Sequence, residues 1–117
     1  MTPAEEPGPS DSLIDPVWEA VVELLLPLGP VTERRSRYGD KPALVVAGQR
    51  EIAHYEAPGV VDVRITRRGW RRFGPIYDGD RRAQRRGRSD WIQLHLTVDD
   101  VEAMSDLLSA VVHANRS

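Results

Sequence analysis

Apolar side chains recur along this chain at two spacings, one typical of helices and one typical of strands. The first third shows the helical spacing, close to an Asp15–Pro16 pair. Aspartate is a favoured N-cap and proline a favoured first helical residue, whereas Pro27 cannot continue a helix. We therefore predict an amphipathic first helix whose apolar stripe comprises Ile14, Val17, Trp18, Val21, Val22 and Leu25.

Short β-type runs follow this helix, and turn residues separate them. The predicted strands are residues 31–38, polar and at an edge; 43–47, continuously apolar and central; 50–55; 60–66; and, after an arginine-rich connection, 91–98. The last run alternates, so its apolar residues face the core while Trp91, Gln93, His95 and Thr97 face away from it.

Residues 56–59 read as a turn that joins the third and fourth strands into an antiparallel pair. The simplest register pairs Tyr55 with Val60, His54 with Val61, Ile52 with Val63 and, on the other side, Glu51 with Arg64. His54 then lies on the apolar side of the hairpin, and Glu51 forms a cross-strand ion pair.

The C-terminal part ends in a second amphipathic helix. Asp99 and Glu102 resemble a capping box, and apolar residues continue at helical spacing to Val112. Residues 80–87 could form a short polar helix between an aspartate cap and a glycine stop.

We predict an α+β fold, an antiparallel sheet of about five strands with the N- and C-terminal helices packed on one face. Residues 1–12 are predicted to be a disordered tail, and residues 13–117 a single domain.

Charge is unevenly distributed along the chain. Residues 64–88 hold ten of the fifteen arginines and two acids, whereas residues 1–33 hold seven acids and no base. The net charge of −2 argues against a protein that coats nucleic acid indiscriminately. The arginine-rich stretch is nevertheless the feature that an anionic partner would meet first, since guanidinium binds anions in bidentate fashion.

Several classes of chemistry are excluded by composition. The chain has no cysteine, which rules out disulfides, a thiol nucleophile and a thiolate metal site. No apolar run approaches twenty residues, and the N-terminus lacks the pattern of a signal peptide, so a cytoplasmic protein without membrane contact is expected. The histidines have no metal-binding spacing, so neither a zinc site nor a cofactor is predicted.

Residues 48–54 (GQREIAH), followed by Gly59 and by Asp62–Val63, resemble the luciferase-domain family. This set of mostly uncharacterised bacterial proteins shares its domain with fungal luciferase. Residues 89–91 and 98–102 resemble the end of the family pattern, and the order of elements over roughly residues 31–114 also resembles MmcQ/YjbR-like proteins. The resemblance implies an α+β domain. The likeness to fungal luciferase also implies oxidase activity. In the family a His-Pro pair follows the Gly-Trp element, and residues 69–75 lack this pair, which argues against that activity.

Two residues are weak candidates for catalysis. His54 is either a proton acceptor in a pocket or a core histidine, and the second interpretation is favoured because a lone histidine carries little information. Glu51 is either a general base or the partner of Arg64, and the ion pair is favoured. Trp70, Trp91 and His95 are candidate pocket residues.

The arginines are candidates for binding an anion or a partner. This set comprises Arg64, Arg71, Arg72, Arg81, Arg82, Arg85 and Arg86. The competing interpretation is a solvated stretch that pairs with acids of the two helices. A module binding a small molecule or an acidic protein is favoured. A cofactor-independent oxygenase acting on an aromatic molecule and a nucleic-acid binder are the alternatives, and the chain is expected to be a monomer or homodimer.

Overall fold

The computed structural model describes residues 15–36, 40–46, 50–85 and 89–115. The helices are α1 (Pro16–Leu25), α2 (Thr66–Tyr77), α3 (Val98–Ala103) and α4 (Ser105–Ala114), and a 3₁₀ turn (Leu26–Leu28) follows α1. The strands are β1 (Thr32–Arg35), β2 (Pro42–Val46), β3 (Arg50–Ala57), β4 (Val60–Arg64), β5 (Ala83–Arg85) and β6 (Trp91–His95). They form one sheet in the order β1-β2-β3-β4-β6-β5, and all neighbours are antiparallel. The predicted α+β class is confirmed, with six strands instead of about five.

Helix α1 begins where the sequence predicted. The Asp15 carboxylate accepts one hydrogen bond from the Val17 backbone N–H at 2.9 Å and one from the Gly59 backbone N–H at 3.0 Å. The cap therefore also ties the start of α1 to the turn between β3 and β4. The Trp18 ring packs edge-on against Tyr55, with 6.3 Å between centroids, so this side of β3 faces the helix layer.

The two faces of the sheet have different characters. One face carries Val61, Val63, Ile92 and Leu94, and all four helices contribute residues to the same buried cluster. Alternation along the strands places His54, Asp62, Gln93 and His95 on the opposite face, which we call the polar face. The prediction that Trp91, Gln93 and His95 point away from the core is confirmed, since these residues alternate with buried ones along β6.

The predicted register between β3 and β4 was wrong by one residue. Tyr55 pairs with Val61 instead of Val60, because Glu56 is the extra residue of a β-bulge and the turn shortens to Pro58–Gly59. Gly59 has a φ of 74°, which favours glycine, and a Cβ there would lie 3.1 Å from a backbone oxygen. The shift places His54 opposite Asp62 and thus on the polar face.

The arginine-rich connection contains a helix that the sequence analysis missed. Helix α2 buries Phe73 and Gly74, and Trp70 and Tyr77 pack against the same core cluster. These positions have helical spacing, but the surrounding arginines mask it in a hydropathy pattern. A Cβ on Gly74 would lie 3.0 Å from the Trp70 ring, so glycine permits this packing.

Three further boundaries differ from the predictions. The proposed short helix at 80–87 is wrong, because β5 occupies Ala83–Arg85 and pairs with β6; residues 86–88 lie outside the described part. The capping box uses Thr97 and Asp100 instead of Asp99 and Glu102. The predicted last helix is interrupted at Met104, between α3 and α4. The predicted tail, residues 1–12, also lies outside the described residues.

Across the ranges described above, every helix is too short or too polar to span a membrane.

Candidate functional site

His54 lies among three carboxylates on the polar face. Its Nδ1 is 3.0 Å from Glu51 Oε2, and its Nε2 is 3.0 Å from Asp62 Oδ2 and 3.7 Å from Glu56 Oε1. We call Glu51, His54, Glu56 and Asp62 the His54 cluster. Both ring nitrogens of one half-buried histidine therefore face anionic oxygen atoms.

An irregularity of β3 brings Glu51 and His54 of this cluster together. On a regular strand Glu51 and His54, three residues apart, would point to opposite faces. The register between β2 and β3 shifts so that Leu44 pairs with Ala53 while the next residue, Val45, pairs with Glu51. Ile52 is the extra residue of this bulge, and both Glu51 and His54 consequently reach the polar face.

Further polar side chains hold the carboxylates in place. The Ser36 hydroxyl donates to both Glu51 oxygens, at 3.1 and 2.9 Å. The Gln93 side-chain amide donates to Asp62 Oδ1 at 3.2 Å, and its oxygen lies 3.0 Å from His95 Nε2. A continuous line of polar contacts thus runs from Ser36, the residue after β1, to Gln93 and His95 on β6, and these additional contacts fix the geometry of the central groups.

The electrostatics of the cluster favour a charged imidazole. Burial alone lowers the pKa of His54, but the hydrogen bond and charge of Asp62, together with the charge and hydrogen bond of Glu51, outweigh it and raise the pKa above 6.5. A neutral imidazole has one N–H donor and cannot satisfy two carboxylates, whereas an imidazolium can. The cluster therefore stabilises a positive charge on the His54 ring.

The pocket residues predicted from the sequence separate into two groups. Trp91 lies beside His54, with ring centroids 5.1 Å apart and planes inclined at 40°, and His95 joins the cluster through Gln93. Trp70 belongs to the helix layer and packs against the core. The structure thus brings His54, Glu51, Trp91 and His95 to one face and separates Trp70 from them.

Arg64 does not pair with Glu51, contrary to the sequence prediction. Its guanidinium donates to Asp90 Oδ2 at 3.0 Å and to the side-chain oxygen of Asn115. The Asn115 amide returns a 2.7 Å bond to the Arg64 carbonyl oxygen. Arg64 therefore fastens the end of α4 to β4, while the bulge directs Glu51 toward His54.

Arg82 is also engaged within the fold. It donates to Asp80 at 2.7 and 3.0 Å and to Asp100 at 2.9 Å, joining the approach to β5 with α3. The side-chain and backbone hydrogen bonds from Arg82 lower the pKa of Asp80 to about 2. Asp100 belongs to α3, so the Arg82–Asp100 contact is of the kind that the self-paired interpretation of the basic stretch expected. Arg64 also pairs within the fold, but its acidic partner Asp90 lies outside the helices.

The other predicted anion-binding arginines have varied positions. Arg71 and Arg72 lie on α2 with Arg67 and Arg68, and this helix contains no acid. Arg72 lies 5.2 Å over the Phe73 ring, and Arg85 Nε donates to the Ser89 carbonyl oxygen at 3.3 Å. Arg81 is exposed before β5, and Arg86 lies outside the described residues.

A groove of about 850 Å³ lies between α2 and α4. Its walls include Arg68, Arg72 and Ile76 of α2 and Asp106 and His113 of α4. His54 is not among its lining residues, so the groove and the His54 cluster are separate places on the molecule.

Two residues of the His54 cluster, and the serine that bonds to it, carried little signal in the sequence. Glu56 reads as part of a turn, Asp62 as a solvent-facing or capping residue, and Ser36 as part of a polar edge. Their relation to His54 depends on the bulges and on strand pairing, which spacing alone does not reveal. The potential ligand atoms of His54, Glu56 and Asp62 all lie within 4.8 Å of one another, although no histidine motif predicts it.

Comparison of the chain with protein-family models, curated proteins and solved structures found no match. The luciferase-domain resemblance therefore stays a prediction.

Proposed function

We propose that this protein is a small binding module that holds a positively charged ligand at the His54 cluster. The observation that carries the proposal is the convergence of Glu51, Glu56 and Asp62 around one histidine, at 3.0–3.7 Å. Even with His54 protonated, the cluster has a formal charge of −2. Within the cluster the carboxylates outnumber the histidine, which favours a cationic ligand over an anionic one. The helix layer packs on the opposite face of the sheet.

Preorganisation supports a binding role. Ser36 and Gln93 hold Glu51 and Asp62 before any ligand arrives, so less side-chain freedom is lost on binding. Trp91 provides an aromatic surface beside the cluster, which suits a cationic group.

The contacts favour binding over nucleophilic catalysis by Ser36. The Ser36 hydroxyl donates to the Glu51 carboxylate, which is a weaker base than the imidazole or amine that ordinarily activates a serine nucleophile. A proton-transfer role for His54 with an aromatic substrate remains the alternative. It draws support from the luciferase-domain resemblance, because Glu51, His54 and Asp62 are three of the residues on which that resemblance rests.

Nuclear magnetic resonance of the isotope-labelled full chain tests the proposal. We expect 1,4-diaminobutane and Zn²⁺, added separately at constant ionic strength, to perturb amide signals in β3, β4 and β6, and sulfate to leave them unchanged. Asp62→Asn should weaken the response, while Asp99→Asn, which removes an exposed carboxylate on α3, should preserve it. If neither cation perturbs these strands at millimolar concentration, the proposed function is wrong.

A second candidate function, binding of a nucleic-acid backbone, is favoured by α2. Arg67, Arg68, Arg71 and Arg72 lie on a helix without an acid, unlike Arg64 and Arg82, which bond to partners within the fold. Fluorescence anisotropy of a labelled DNA duplex should then show binding that weakens steeply with salt. Arg67→Gln/Arg71→Gln should lose affinity more than the exposed control Arg81→Gln. Absence of binding at low salt would remove this candidate.

A further inference from the structure

We infer that His54, Glu56 and Asp62 form a binding site for a divalent transition-metal ion such as Zn²⁺, with one nitrogen and two oxygen ligands. The inference rests on the proposed function and names the class of cation. Its starting observation is geometric, since one donor atom from each residue lies within 4.8 Å of the other two.

The donor distances suit a metal ion. Zn²⁺ at about 2.0–2.2 Å from tetrahedral ligands holds those ligands about 3.4 Å apart. His54 Nε2 is 3.0 Å from Asp62 Oδ2 and 3.7 Å from Glu56 Oε1, so the observed distances lie on either side of that value. The Glu56 and Asp62 oxygen donors lie within 4.8 Å of each other, so side-chain movement of about 1 Å would bring all three donors to that spacing.

The same distances argue against an organic cation at the centre. An ammonium group that donates to two acceptors at about 2.8 Å with tetrahedral angles holds them about 4.6 Å apart. Nε2 and Asp62 Oδ2 are too close for this arrangement, and only a proton or a metal ion fits between them. An amine can still contact the rim at Glu56, whose side chain is 42% exposed.

The hydrogen bond between His54 Nδ1 and Glu51 is of the kind that metal-binding histidines make with their other ring nitrogen. Nδ1 lies 3.0 Å from the buried Glu51 carboxylate, which itself accepts from Ser36. A carboxylate on Nδ1 fixes the tautomer that presents the Nε2 lone pair to a metal and strengthens that nitrogen as a ligand. Asp62 is oriented in the same way, because Gln93 bonds to Oδ1 while Oδ2 faces the histidine.

The donor set selects the class of metal. One imidazole with two carboxylates suits Zn²⁺ and neighbouring first-row ions, whereas Ca²⁺ and Mg²⁺ prefer oxygen ligands throughout. Three protein ligands leave a coordination position for water or a ligand, as in an open zinc site. The Lys41 ammonium donates to the Glu56 carbonyl oxygen at 2.8 Å. It therefore bonds to the backbone of Glu56 and not to the carboxylate that would bind the metal.

The test is a calorimetric titration of the chelator-treated full chain with Zn²⁺, together with the visible absorption of bound Co²⁺. We expect one equivalent to bind, and the ¹⁵N signal of His54 Nε2 to shift on coordination. Glu56→Gln and Asp62→Asn should each weaken binding by about 100-fold or more, and Glu51→Gln by about 10–100-fold. Glu23→Gln and His113→Gln, a carboxylate and a histidine outside the cluster, serve as matched controls and should leave affinity unchanged.

The outcomes separate this inference from the proposed function. Substoichiometric Zn²⁺ binding, or an affinity unchanged in Glu56→Gln, would overturn the metal site. Because the Glu56 side chain is half-exposed, we expect Glu56→Gln to fold like the parent protein, and circular dichroism checks its fold. If 1,4-diaminobutane perturbs the cluster while Zn²⁺ does not bind, the metal site is wrong and the proposed function stands. If neither binds, both are wrong.

Discussion

Two places in this molecule hold a positive charge between carboxylates, His54 on the polar face and Arg82 beside α3. Arg82 bonds to Asp80 and Asp100 at 2.7–3.0 Å, and a guanidinium keeps its charge at every pH the fold survives. His54 sits between Glu51 and Asp62 at similar distances, but an imidazole can release its proton. Arg82 is therefore a fixed cation of the fold, whereas the positive charge of His54 is exchangeable.

The segment with the highest density of charged residues is not the one in which the candidate site lies. The arginine-rich stretch dominates the sequence, yet Arg64 and Arg82 within it act as internal fasteners. The His54 cluster occupies an inconspicuous segment with a single histidine, and it is the place at which we propose that a ligand binds. Charge that is conspicuous in a sequence is not by itself a site, because its partners can lie within the same fold.

The largest effect is expected from removing the exchangeable cation. In protein kept free of metal by a chelator, His54→Gln removes the imidazole contacts to the buried Glu51 and Asp62 carboxylates, and we expect the free energy of unfolding to fall by about 2–4 kcal/mol, since each hydrogen bond to a charged group contributes about 1.5–3 kcal/mol. Urea denaturation at pH 6 with a chelator present measures it. His95→Gln, an exposed histidine on β6, should cost less than about 0.5 kcal/mol. Equal losses in the two variants would show that the cluster does not depend on the His54 charge.

A smaller loss is expected from removing the fixed cation. Arg82→Gln should lower the free energy of unfolding by about 1 kcal/mol, because its side chain is 35% exposed and solvent screens the pairs. Zn²⁺ should stabilise this variant as much as the parent protein, since the metal site lies elsewhere. Thermal unfolding with and without Zn²⁺ measures both effects. Loss of the Zn²⁺ response in this variant would show that Zn²⁺ binding depends on Arg82 and that the two regions are not independent.

The parts of the fold that local periodicity encodes were predictable from the sequence. The apolar stripe of α1 and the alternation of β6 are repeated patterns within a few residues. The alternation is confirmed, and Val17, Trp18, Val21 and Leu25 of the predicted stripe are buried, while Val22 is partly buried and Ile14 lies outside the described residues. Helix α2 was not predicted, because Phe73 and its apolar neighbours are a minority among arginines. Its helical state depends on packing against α4 and the core, which propensity does not reveal.

The candidate site was predictable only in part. His54, Glu51, Trp91 and His95 were named from the sequence, and the structure places them on one face. Their relation was not predictable, since a bulge at Ile52 turns Glu51 and His54 to the same side. A one-residue change of register moves a side chain across a sheet, and bulges leave no reliable mark in a single sequence.

The pH dependence of the fixed pair follows from the lowered pKa of Asp80. Its folded pKa of about 2 lies below the ordinary value of 3.8, so the pair stabilises the protein fully above about pH 4. That contribution is lost as pH falls from about 4 toward 2, when the folded carboxylate takes up a proton. The difference in unfolding free energy between the parent and Asp80→Asn should shrink over this window. A difference that stays constant down to pH 2 would show that Asp80 is not held by Arg82.

The smallest effect concerns a lysine at the rim of the exchangeable site. Lys41 donates to the carbonyl oxygen of Glu56, so its charge lies close to a metal ligand and repels an incoming cation. Lys41→Met removes the charge, and we expect Zn²⁺ to bind about 2–5-fold more tightly at low ionic strength, with the gain lost in high salt. Lys41→Arg, which keeps the charge, should behave like the parent protein in the same titration. A gain that persists in high salt would mean that Lys41 acts through the conformation of β3 instead of through its charge.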